Sequence, residues 1–127
     1  MATITEDYVS FETAKLLKEK GFPLPSINFK DWAFCMYDKN GDIQWGCYSS
    51  EWYVRVTLQM AMKWLREVHK LEIYPFHDAI QENNNWWYRV ELHTKGCSVT
   101  EHESDVIYKT YEEACETAIK YCLEHLI

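Results

Sequence analysis

Glycine is scarce in this 127-residue chain, with four residues at positions 21, 41, 46 and 96. Glycines so widely spaced cannot form the Gly-rich loop that cradles phosphate. Cysteine lacks pattern: Cys35, Cys47, Cys97, Cys115 and Cys122 are odd in number and include no C-x-x-C pair. That argues against a disulfide framework and against a structural zinc site. Cys115 and Cys122 lie on one face of a helical pattern, where free cysteine acts as a small buried hydrophobe. No apolar run approaches the roughly 18 residues that a membrane helix needs. Met1 to Tyr8 carries acidic residues and no basic region followed by an apolar run, so we expect no secretory signal and a cytoplasmic chain.

Positive charge is also short. The net charge is −7, and all of the excess lies in residues 71–127, which hold four basic and eleven acidic side chains. Residues 1–70 balance, with nine of each. An acidic half without a basic stripe repels phosphates, so direct binding to duplex nucleic acid is not expected.

What is present fits one globular domain spanning 1–127. Hydrophobic residues at 47% and charged residues at 26% lie far from the composition of disordered chains. Ser10 caps a first helix that Gly21 stops, and Phe22 is placed for an apolar contact back onto Leu17. Phe11, Ala14 and Leu17 make its inward stripe, and Lys15, Lys18 and Lys20 face out. Pro23 and Pro25 then bar a continuation. Asp31 to Tyr37 and Asp42 to Tyr48 read as strands about an Asn40-Gly41 turn.

A second helix starts near Thr57, with Leu58, Ala61, Met62, Leu65 and Val68 at helical spacing and Met60 and Trp64 widening the stripe. Leu71 to Phe76 and Trp86 to His93 read as a second hairpin. In its second strand Trp86, Tyr88, Val90 and Leu92 share one face, and Trp87, Arg89, Glu91 and His93 the other. Lys95 to Asp105 reads as a polar loop and Val106 to Tyr108 as a short strand. A last helix opens with the capping box Thr110-x-x-Glu113 and carries Ala114, Cys115, Ala118, Ile119 and Cys122 inward. The expected class is α+β, with antiparallel hairpins packed against three helices in the order α-β-β-α-β-β-(β)-α.

The chemistry-bearing patterns are weak. Asp38-Lys39-Asn40-Gly41-Asp42 imitates the start of a calcium loop, but the sixth position is Ile43 and the twelfth Ser49, where Gly and Glu are required. A plain turn is the better reading. His93, Glu101, His102, Glu103 and Asp105 include metal-ligand chemistry, but ligands so close in sequence rarely converge on one ion. We read a solvated acidic loop, with no metal and no cofactor. No nucleophile signature or divided carboxylate pair marks an enzyme.

Aromatic residues are abundant, with six tryptophans and nine tyrosines. Trp87 shares a strand face with Arg89, and Trp52-Tyr53 adjoins Arg55. Aromatic faces beside an arginine suit stacking on a nucleobase or anchoring a protein interface. The plainer use of these rings is packing under loops or in a homo-oligomer seam.

Three blocks carry a resemblance. They are Ile4-Thr5-Glu6-Asp7-Tyr8-Val9-Ser10-Phe11 with Leu16-Leu17-Lys18-Glu19-Lys20-Gly21-Phe22, the helix from Thr57 to His69, and Thr110-Tyr111-Glu112-Glu113-Ala114-Cys115 through Lys120-Tyr121-Cys122-Leu123-Glu124. Together they resemble a family of small uncharacterised proteins encoded by phages and prophages of gut Bacteroidales. The resemblance implies a mobile-element origin and a bacterial cytoplasm, and transfers no site residue. Trp45, Trp52 and Trp87 lie outside it.

The leading expectation is a non-catalytic accessory protein that sequesters a nucleotide-like signalling ligand to counter host defence, with Trp87, Arg89, Trp52, Tyr53 and Arg55 as contacts. The second is an acidic protein–protein inhibitor that covers a basic surface on a host factor such as a nuclease. A small enzyme is the third.

Overall fold

Ser10 holds an extended backbone (φ −68°, ψ 165°), and its Oγ accepts the Thr13 N–H at 3.3 Å, so α1 (Phe11–Glu19) begins with a side-chain cap. Its end is a Schellman motif. Gly21, at φ +91°, lets the Phe22 N–H reach the Leu17 carbonyl at 2.9 Å and its own N–H reach that of Lys18 at 3.2 Å. The computed structural model that shows this describes residues 7–23, 35–46, 49–78 and 85–127. Those residues form two compact units, Met1–Thr57 and Leu58–Ile127. Among them no helix is long and apolar enough to cross a membrane.

In the first unit, β1 (Cys35–Tyr37) runs between β2 (Ile43–Trp45) and β3 (Tyr53–Val54), antiparallel to both. The Asp38 carboxylate organises the β1–β2 turn. Its Oδ1 accepts the N–H groups of Asn40 and Asp42 at 2.9 and 3.0 Å, and its Oδ2 the Gln44 amide at 3.0 Å. These bonds, that of Gln44 first, hold its pKa below the ordinary value. The segment that imitates a calcium loop is thus a turn. Val9, Ala14, Leu17, Met36, Tyr37 and Val56 form the core of this unit, and the Tyr37 hydroxyl donates to the Val9 carbonyl at 2.7 Å. Two expectations change. Lys18 does not face solvent freely, since its ammonium donates to the carbonyls of Ser50 and Trp52. The short β3 is absent from the sequence expectation, because two residues display no alternation. Asp31 to Phe34, Cys47 and Tyr48 lie outside the described residues.

In the second unit, β4 (Leu71–Asp78), β5 (Asn85–Thr94) and β6 (Cys97–Glu103) form an antiparallel sheet in sequence order. The helices α2 (Leu58–Val68) and α3 (Tyr111–Tyr121) share its one covered face, α2 against β4 and α3 against β4 and β5. Thr110 caps α3 by accepting the Glu113 N–H at 3.1 Å, while Glu113 reaches back to the Lys109 N–H at 3.3 Å. A π-helical turn, Cys122–Leu126, continues the helix. Leu58, Ala61, Leu65, Leu71, Val90, Ala114, Cys115, Ala118, Ile119, Cys122 and Leu123 fill the core. Pro75, which has no N–H, lies on the edge strand β4, the tolerated place for it.

The segment expected as a polar loop from Lys95 to Asp105 is mostly strand β6, joined to β5 through a Lys95-Gly96 turn with Gly96 at φ +79°. The register shifts at Val90/Glu91, so the ladder carries a bulge. The strand expected at Val106 to Tyr108 is reduced to one bridge, Tyr108 with Trp86, closed by two bonds of 2.7 Å. Met60 and Val68, expected in the α2 stripe, are more than half exposed.

Candidate functional site

The alternation of β5 decides what the second sheet shows on the face opposite its helices. Tyr88 and Val90 point into the core, so Trp87, Arg89, Glu91 and His93 point away from it. Antiparallel register sets Phe76 beside Trp87, Tyr74 beside Arg89 and Glu72 beside Glu91 on one flank. On the other flank it sets Glu103 beside Arg89. The face is therefore a row of aromatic rings crossed by charged side chains.

Arg89 is the hub of this face. Its Nε donates to Glu103 Oε1 at 2.8 Å, its Nη1 lies 3.8 Å from Glu91 Oε1, and its guanidinium carbon lies 5.2 Å from the centre of the Phe76 ring. Phe76 meets Trp87 edge to face, with centroids 6.1 Å apart at 86°. Trp87 remains 52% exposed, so its ring is held without being covered. Beyond Arg89 the Tyr74 hydroxyl lies 3.4 Å from His93 Nε2. Partial burial and then the neighbouring Glu72 and Glu91 raise the pKa of that hydroxyl. Phe76, Trp87, Tyr88, Arg89, Glu103 and Ser104 enclose an open cleft of about 190 Å³.

Two magnitudes define what the cleft can hold. Enclosed small-molecule sites run to roughly 300–1,000 Å³, so this one suits a single side chain better than a whole nucleotide. Two carboxylates share one guanidinium, leaving the trio at −1. A phosphate brought to 4 Å of an uncompensated carboxylate meets a repulsion of about 1 kcal/mol in water, and about 4 kcal/mol at an effective dielectric constant of 20. A cation gains by the same amounts.

The other three expected contacts belong to the first unit, where each has internal partners. Trp52 is half-buried, and its carbonyl accepts the Lys18 ammonium at 3.0 Å. Tyr53 stands edge-on to Phe11 at 5.7 Å, with the Lys18 amine 5.1 Å above its ring. The Arg55 guanidinium stacks over Tyr8 at 4.1 Å and approaches Tyr37 at 5.9 Å, and its Nη1 lies 3.5 Å from Cys35 Sγ. That thiol contact, outweighing burial, which acts the other way, raises the pKa of Arg55. Trp87 and Arg89 thus stand together on one sheet face, and Trp52, Tyr53 and Arg55 belong to the other unit.

Phe76, Tyr74 and Glu103 join Trp87 and Arg89 and are not among the contacts the sequence suggests. A signal for the first two is present in the i, i+2 spacing of Glu72, Tyr74 and Phe76. Glu103 gives none, because its segment has the composition of a loop. The histidines and carboxylates considered for a metal separate across the sheet. His102 turns to the helix side and stacks on Tyr121, with centroids 3.6 Å apart, while Glu103 lies on the open face. Among the described residues no three His, Cys, Asp or Glu side chains are placed to hold a metal ion. No protein-family model, curated protein or solved structure matches the chain.

Proposed function

We propose that this chain is a non-catalytic binding protein of the bacterial cytoplasm that uses the open face of the β4–β5–β6 sheet to cover a basic surface of a protein partner. The observation that carries this reading is the state of Arg89, whose charge is taken up by Glu103 and Glu91 beside a half-exposed Trp87. An interface of this kind has an aromatic anchor surrounded by charge that selects the partner. The charge of residues 71–127 acts in the same direction and steers a basic partner toward the face. The phage resemblance makes a host protein the natural class of partner, and inhibition by occlusion the natural effect. A sequestered nucleotide is the weaker reading, because the one arginine beside Trp87 is already neutralised and the cleft is small.

Calorimetric titration separates the two. A lysine- and arginine-containing peptide should bind, with an affinity that falls steeply as salt is raised, and ATP should give no heat. Arg89→Gln should leave peptide binding intact or strengthen it, since the two carboxylates are then uncompensated. Saturable binding of ATP that is lost in Arg89→Gln would refute the protein-partner reading and restore the nucleotide one.

A further inference from the structure

Within that reading, on which this step rests, we infer that the cleft between Trp87 and Glu103 seats one arginine side chain of the partner. The cleft's size of about 190 Å³ selects a side chain, and its chemistry selects which one. One wall is the indole of Trp87, exposed over 52% of its surface and steadied by the edge of Phe76. The other is the Glu103 carboxylate, whose side chain is 58% exposed and whose Oε1 alone is engaged by Arg89. A guanidinium laid on the indole meets the second oxygen of that carboxylate with an N–H. The protein already makes this pairing internally: the Arg89 guanidinium lies over Phe76 while its Nε holds Glu103.

Arginine fits the place better than lysine for two reasons. Its plane stacks on an aromatic ring while its edge donates hydrogen bonds, whereas an ammonium must choose between them. It is also less strongly hydrated, so it loses less on leaving water for a half-buried ring. A neutral ureido group of the same shape keeps the stacking and loses the charge. Citrulline in place of arginine therefore isolates the electrostatic part of the interaction.

The test uses the full chain and three lysine-rich peptides that are identical apart from a central arginine, lysine or citrulline, with a glutamate-rich peptide as control. By titration calorimetry at low salt, the arginine peptide should bind about tenfold more tightly than the citrulline peptide. That gap should close in Glu103→Gln, and the preference for arginine over lysine should close in Trp87→Leu. If Trp87→Leu does not fold, Trp87→Phe should reduce that preference instead. Equal binding of all three basic peptides overturns the arginine seat while leaving the basic-partner reading in place. A preference for arginine that survives both variants also overturns the seat, by placing it elsewhere. If no basic peptide binds more tightly than the acidic control, both readings fall together.

Discussion

Two thiols on the core side of the second unit should make its folding sensitive to alkali. Cys115 and Cys122 have no exposed surface. Burial pushes the Cys115 thiol from the ordinary 9.0 up to about 11, and that of Cys122 up to about 12. Below pH 9 both thiols keep their protons whether the chain is folded or unfolded, and stability is unaffected. Above pH 9 the unfolded chain releases both protons while the folded chain retains them, so rising pH favours unfolding. Each thiol contributes about 1.4 kcal/mol per pH unit, so the pair contributes about 2.7 kcal/mol per unit between its free and buried values. From pH 9 to pH 11 the loss approaches about 5 kcal/mol, comparable to the whole stability of a modest domain. Urea unfolding followed by circular dichroism, in reductant and in half-unit steps of pH, measures it. The comparison protein is Cys115→Ala/Cys122→Ala, which removes both thiols and retains the lysines and tyrosines that also titrate there. That includes Tyr88, whose hydroxyl pKa burial likewise raises. The double variant should be less stable at pH 8 because it leaves small cavities, and its disadvantage should shrink by about 5 kcal/mol by pH 11. Stabilities that fall in parallel over that range would refute the argument, because the thiols would then titrate alike in both states.

Three further substitutions test local geometry. Lys70 holds φ +60°, a left-handed conformation that glycine adopts without strain, so Lys70→Gly should raise the urea midpoint by the equivalent of about 0.5–1 kcal/mol despite losing the bond from Lys70 Nζ to the Glu67 carbonyl. Gly41→Ala should do the reverse, lowering stability by more than about 1 kcal/mol, because φ is +85° and a Cβ there would stand 3.1 Å from Phe11 Cδ1. Thr110→Ala removes the cap on Glu113 N–H and should cost about 1 kcal/mol, seen as a lower thermal midpoint, with Thr110→Ser recovering most of it.

Sequence reading succeeds where one local rule determines the outcome. The ends of α1 and the start of α3 are written in Ser10, Gly21, Phe22 and Thr110, and each forms the cap its residue type implies. The inward residues of β5 follow from period-2 alternation beside a covered face. It fails where a neighbour, and not the segment itself, sets the state. Every described residue of β6 except His102 is exposed, so this strand has no apolar face to reveal it and exists by pairing with β5. Val68 keeps helical spacing but is the last residue of α2 and stays 58% exposed.

The hidden strand is also the reason the candidate site carries a net negative charge. If Lys95 to Asp105 is a loop, Arg89 stands on its strand face with no carboxylate opposite, and an arginine next to a tryptophan reads as an anion site. Pairing β6 with β5 brings Glu103 into register with Arg89 at 2.8 Å, and Glu91 lies two residues along on the same face. One ladder therefore converts a neutral Arg89–Glu91 pair into a −1 cluster without altering a residue of β5. The selectivity of the face is in this sense a property of register. A change that slipped β6 by one residue would send Glu103 to the helix side and leave Arg89 with Glu91 alone. Glu103→Lys imitates that loss of the carboxylate at a fixed register and adds opposing charge, so it should abolish binding of the basic peptides while the circular-dichroism spectrum stays that of the wild type. Retained binding would place the partner's cation away from the Trp87 face.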